Sequence, residues 1–185
     1  MNNTPDQALI QHSRKWLENV VIAHNFCPFA KHEFVNNRVH FEVIPHKKIE
    51  ACLESLITAC EQLDVNKNIE TSLLILPNGF NDFEQYLDLL DYADRLLEAQ
   101  NYEGIYQVAS FHPDYCFDDA TPDDPANYTN RSPYPMLHLL REASIETALE
   151  HISDPEAIPE TNIKTAERLG IDTLKQQLEN CFKDD

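Results

Sequence analysis

The sequence predicts an α/β or α+β fold, with a small central sheet of three to four strands covered by helices and a helical C-terminal part. Three observations carry this. Residues 39–43, 71–76 and 105–111 are short apolar or alternating runs, and two amphipathic segments long enough for helices separate them. Beyond Pro155 the apolar residues recur at helical spacing. No repeat, linker or low-complexity tract divides the 185 residues, so 1–185 reads as a single domain, long enough to bury a core without metal or disulfide.

The chain opens with a helix signal. Thr4 stands as N-cap, Pro5 at the first helical position and Gln7 closes a capping box. Leu9, Trp16, Leu17, Val20 and Val21 continue at helical spacing toward His24, and Pro28 then forces Cys27 out of helical geometry. Val39, Phe41 and Val43 alternate with charged or polar neighbours, as in a half-buried strand. Phe34-Val35 before Asn36-Asn37 suggests a hairpin partner for it. Ile49, Cys52, Leu56, Cys60 and Leu63 form a second helical stripe, on which both cysteines are expected to be small core residues.

Thr71 to Leu76 reads as a strand buried on both faces, broken by Pro77-Asn78-Gly79. Asn81 and Glu84 are positioned as cap and N3 partner of a helix whose buried stripe runs from Phe83 to Leu97. Gly104 restarts the chain for a third strand, Ile105 to Phe111. After a long loop, Ser132-Pro133 resembles a cap followed by a helix-starting proline, and the spacing predicts a helix over 135–150. Gly170 should stop a further helix, and Asp172 should cap a last one through Leu174, Leu178 and Phe182. With right-handed crossovers, the second and third strands end on one edge, where open sheets usually hold ligands.

Charge bounds the partners. The net charge is −18, and it is uneven. Residues 1–48 hold six Lys/Arg against four Asp/Glu, which leaves eight against 28 for the rest. Such a field disfavours nucleic acid and anionic membrane surfaces. No apolar run approaches the roughly 20 residues of a membrane span, and the start lacks the pattern of a signal peptide. Five cysteines without a C-x-x-C pair fit reduced thiols in a cytoplasm.

The stretch from Phe111 to Glu142 holds five of the eleven prolines and no glycine, so an ordered, site-building loop is expected rather than slack. Arg131 stands at its end, in a region where Arg95 is the only other cation between Asn68 and Arg131. Arg suits bidentate recognition of carboxylate or phosphate, and a helix start beside it would attract anions. On a helix, His138 and Arg141 would share a face and serve the same pocket. Asn127, Asn130 and Ser132 complete the candidate binding set, with backbone bracing as the competing reading for the asparagines. Asp123 and Asp124 sit between prolines as turn residues. His112, after a strand and before Pro113, is the general-base candidate. Cys27, with His24 and Lys31 nearby, is the candidate nucleophile, its greasy flanks Phe26 and Phe29 suiting an inert thiol equally well. His112 and Cys116 are four apart, but no established zinc spacing is present, so no metal site is assigned. No motif names a cofactor.

Four segments together resemble a known family: C-P-F-A-K at 27–31, V-A-S-F-H-P-D-Y at 108–115, D-D-P-A-N-Y-T-N-R-S-P-Y-P-M-L-H-L-L-R-E-A-S at 123–144 and I-P-E-T-N-I-K-T-A-E-R-L-G at 158–170. The chain is similar over nearly its whole length to the bacterial family catalogued as domain of unknown function 1415. The resemblance implies a one-domain bacterial protein and no assigned activity. It implies family positions for Cys27, His112, Asn130, Arg131, His138 and Arg141, and Gln in place of Cys116. Two readings therefore stand side by side. One is an enzyme acting on a small anionic molecule, with His112 as acid/base and Cys27 as nucleophile. The other is a non-catalytic domain binding a metabolite or protein, with the 112–134 loop as recognition surface.

Overall fold

A computed structural model describes residues 4–183. The predicted first helix forms as α1 (Pro5–Trp16), with both halves of the Thr4–Gln7 capping box in place. It runs on through a π-helical turn at Leu17–Ile22, where Phe26 N–H reaches back five residues to the Val21 carbonyl at 2.9 Å. Asn25 then adopts φ 57° and turns the chain into the Cys27 segment.

The sheet has the order β1-β2-β4-β3, with β1 at Val39–Val43, β2 at Thr71–Ile75, β3 at Tyr106–Phe111 and β4 at Met136–Arg141. β1 and β2 are parallel, joined through α3 (Ile49–Val65). From β2 the chain crosses through α4 (Phe83–Ala99) to β3, two places away. β4 fills the gap between them, antiparallel to both. β2 and β3 consequently run the same way and end at the same edge: Ile75 and Phe111 both lie opposite Met136. The expected juxtaposition of 77–79 with 112–114 holds, sealed by a 2.8 Å hydrogen bond between the His112 ring and the Phe80 carbonyl.

Residues alternating along the strands feed two cores. Leu74, Leu76, Leu137 and Leu139 face α3 and α4, where Cys52, Leu56, Cys60, Tyr86, Leu89 and Leu97 complete one cluster. Leu73, Ile75 and Met136 face the other way, against Trp16, Leu17, Val20 and Val21, with α6 (Ile158–Leu169) and α7 (Ile171–Asn180) beyond. Helices on both faces of one mixed sheet make this an α+β fold with a helical C-terminal part.

Four local expectations are corrected. The segment 135–150 is a strand followed by α5 (Glu142–Leu149), not one helix. Met-Leu-His-Leu-Leu is apolar toward both faces because it becomes a central strand, and a short run of that kind carries no period that separates strand from helix. Residues 30–35 form α2 (Ala30–Val35) rather than a hairpin strand. The cap of α4 is Asp82, whose carboxylate accepts from Gln85 N–H at 3.0 Å, one residue later than the Asn81 pattern suggested. Gly170, at φ 78°, serves both the end of α6 and the start of α7, so Asp172 lies in the first turn of α7 and is not its cap.

Candidate functional site

The loop 112–134 is ordered by its own polar side chains. Asn127 accepts from Phe117 N–H at 3.0 Å and donates to the Thr121 carbonyl at 2.8 Å. Asn130 donates to the Ser110 carbonyl at 3.2 Å, while its own carbonyl accepts from His112 N–H. Ser132, fully buried, donates to the Tyr134 carbonyl at 2.6 Å. It leads into a strand, so the helix start expected to attract an anion is absent at this point.

Arg131 is a clamp. Its Nε donates to the Tyr115 carbonyl at 3.0 Å, another guanidinium N–H donates to the Pro122 carbonyl at 2.9 Å, and the group lies 4.7 Å over the Tyr128 ring. Its own carbonyl accepts from Trp16 Nε1 at 2.9 Å, which ties the loop to α1.

His112 is fully buried, with both nitrogens engaged by the backbone. Nδ1 accepts from Asp114 N–H at 3.0 Å, so the ring proton is on Nε2 and is donated to Phe80. Burial among Phe83 and Tyr86 lowers its pKa. Cys27 belongs to the opposite core. The structure therefore does not bring His112 and Cys27 together.

Cys27 shares a cavity with His138 instead. Both line a cavity of about 330 Å3 between the sheet, the 26–30 segment and α5. Its walls are mostly apolar: Trp16, Phe26, Phe29, Leu73, Phe111 and Ile145. The Cys27 segment is held from behind by α6 and α7, with Asn162 donating to the Phe26 carbonyl at 2.7 Å and His24 bonded to Gln177 at 2.8 Å. Burial raises the Cys27 pKa, partly offset by the backbone N–H groups of Phe29 and Ala30. His138, on the central strand, is pushed down to about 4 by burial. Near pH 7 both groups are neutral.

His138 and Arg141, three apart on a strand rather than a helix, point to opposite faces. Arg141 still borders the cavity at the strand's end, but its donors are taken by the carbonyls of Leu63 and Ile69 and by the Tyr106 hydroxyl. Beside it, Glu70 binds Arg38 and the Ser144 hydroxyl, and Arg38 also faces Glu33 at 3.4 Å.

The family described as "Protein of unknown function (DUF1415)" matches residues 8–176. The chain belongs to that family. Among curated proteins and among solved structures nothing matches. The match covers Cys27, Thr71, His112, Arg131 and His138 alike, so membership does not separate clamp from cavity; the geometry does. Thr71, Glu70, Arg38 and Ser144 border or support the cavity without having stood out in the sequence. No local pattern links residue 71 to residue 138, since strand pairing alone makes them neighbours. Among the described residues no group of three or more His, Cys, Asp or Glu is placed to hold a metal ion, and no helix is long and apolar enough to cross a membrane.

Proposed function

We propose that this protein binds a small, uncharged and largely apolar molecule in the cavity shared by Cys27 and His138. The observation that carries the reading is the cavity itself. At about 330 Å3 it falls within the range of small-molecule sites, which are typically apolar clefts of roughly 300–1,000 Å3 with a few placed polar groups. An anionic ligand is less suited to it. Glu33 and Glu70 stand on its wall, and the nearby Arg38 and Arg141 are already paired. Binding is favoured over covalent catalysis for a related reason. A nucleophilic cysteine works as thiolate, and burial holds Cys27 as thiol in a cavity whose one histidine is also neutral.

Trp16 is the only tryptophan of the chain and lines the cavity, so its fluorescence reports occupancy. Ethylbenzene should shift that fluorescence saturably and slow alkylation of Cys27, followed by mass spectrometry at that residue. Ala109, opposite His138 in the β3–β4 register, and Ala148 of α5 both line the cavity. Filling it with Ala109→Phe, or from the other wall with Ala148→Phe, should abolish both effects in a folded protein. Unsaturable fluorescence changes, with Cys27 reacting at the same rate with and without probe, would refute the proposal.

A further inference from the structure

The polar groups of the cavity say which end of a ligand goes where. Thr71 Oγ1 lies 2.7 Å from the Leu139 carbonyl and 2.7 Å from His138 Nε2. A carbonyl only accepts, so the single hydroxyl proton of Thr71 goes to Leu139. The hydroxyl oxygen is then the acceptor for His138, and Nε2 must carry the ring proton. That leaves Nδ1 of His138 as a bare lone pair.

No hydrogen-bond partner of Nδ1 is found among the described residues, and the atom is not sealed off from solvent-sized probes. His138 stands in the middle of the sheet and lines the cavity, so the cavity is the space onto which its remaining surface opens. A lone pair on a mostly apolar wall is a point where a ligand's donor can gain a directed hydrogen bond. The surrounding rings add a shape. Phe111 lies tilted against the His138 ring, 5.8 Å between centroids, and packs edge-on against Trp16 at 4.8 Å. An apolar cavity of about 150 Å3 is enough for a benzene ring, so about 330 Å3 accommodates a bicyclic one.

Resting on the binding reading above, we propose that the ligand is a neutral molecule of aromatic size carrying one hydroxyl or N–H donor, and that this donor docks on Nδ1 of His138. Neutral imidazole is the form able to accept it, and burial keeps the ring in that form near pH 7. The thiol of Cys27 lies on the same lining and contributes packing to the apolar body of the ligand.

Indole and benzofuran have nearly the same shape and differ in whether an N–H is present. Calorimetry on the full chain should show indole binding about three- to tenfold tighter, the worth of one ordinary hydrogen bond. His138→Phe keeps a flat ring and has neither nitrogen, while the Thr71 hydroxyl still donates to the Leu139 carbonyl. In that variant the ratio should fall to about one. Independently of any variant, with 15N-labelled histidine the Nδ1 resonance of His138 should move with indole and stay with benzofuran, while Nε2 remains protonated throughout. Equal affinities of both probes for the native protein, with no movement of Nδ1, would overturn the docking on His138 and leave the cavity reading standing. Binding of neither probe would overturn both.

Discussion

The strand-end edge at His112 and the cavity at His138 contain the same side chain in opposite circumstances. At the edge both imidazole nitrogens meet backbone partners, and neighbouring Arg131 has two carbonyls and a ring. In the cavity one nitrogen is matched by Thr71 and the other has no hydrogen-bond partner among the described residues. A fully matched polar group contributes rigidity and has nothing left to offer a ligand. An acceptor left over among apolar walls is where a ligand can gain affinity. Open sheets usually bind at their strand ends. Here that edge is closed by Phe80, the loop and its prolines, and the open space lies on a face of the sheet.

The comparison breaks if either histidine behaves like the other. The largest effect is expected at His112. His112→Ala removes a buried ring packed on Phe83 and Tyr86 and orphans the Phe80 carbonyl and Asp114 N–H. Urea denaturation should show a loss of about 3–5 kcal/mol. Under conditions where the variant stays folded, benzofuran affinity should be unchanged. A change in affinity with full stability would return His112 to the ligand site.

A smaller effect is expected from pH at His138. Its unfolded pKa is about 6.5 and its folded value about 4, so the unfolded chain takes up the proton first as pH falls. The stability contributed by the neutral, half-buried ring is fully present above pH 6.5. It is lost between about 6.5 and 4, by up to about 3 kcal/mol, and changes no further below that. Subtracting the stability–pH curve of His138→Gln from that of the native protein should isolate this step. A flat difference would mean that the ring is solvated or already protonated. His112 is shifted in the same direction and contributes with the same sign, which the subtraction removes.

The smallest effect sharpens the comparison at Arg131. Arg131→Ala should cost about 1–2 kcal/mol through the lost bonds to Tyr115 and Pro122, measured as a lower melting temperature. Proteolysis within 115–125 should accelerate, and the affinity of the cavity for either probe should stay the same. Loss of affinity without loss of stability would contradict the clamp.

What the sequence determined by itself is local. The capping box at Thr4, the stripes of α3 and α4, the double-faced burial of 71–75 and the stop at Gly170 are each specified within a few residues, by capping, spacing and backbone conformation. An α/β or α+β class followed from these, and so did the shared edge of the second and third strands; the antiparallel β4 decided for α+β. Tertiary structure decided the identity of 136–141. Leu137 and Leu139 find one core and Met136 the other only because a gap between β2 and β3 exists to be filled. That placement set His138 against Thr71 and separated its side chain from that of Arg141. It put His138 on a cavity lined by Trp16, Cys27 and α5, the last more than a hundred residues along the chain from the other two. Scarcity of positive charge made Arg131 conspicuous in the sequence, but whether a cation meets a ligand or a carbonyl depends on what folds beside it. For Arg131 it was the carbonyls of its own loop.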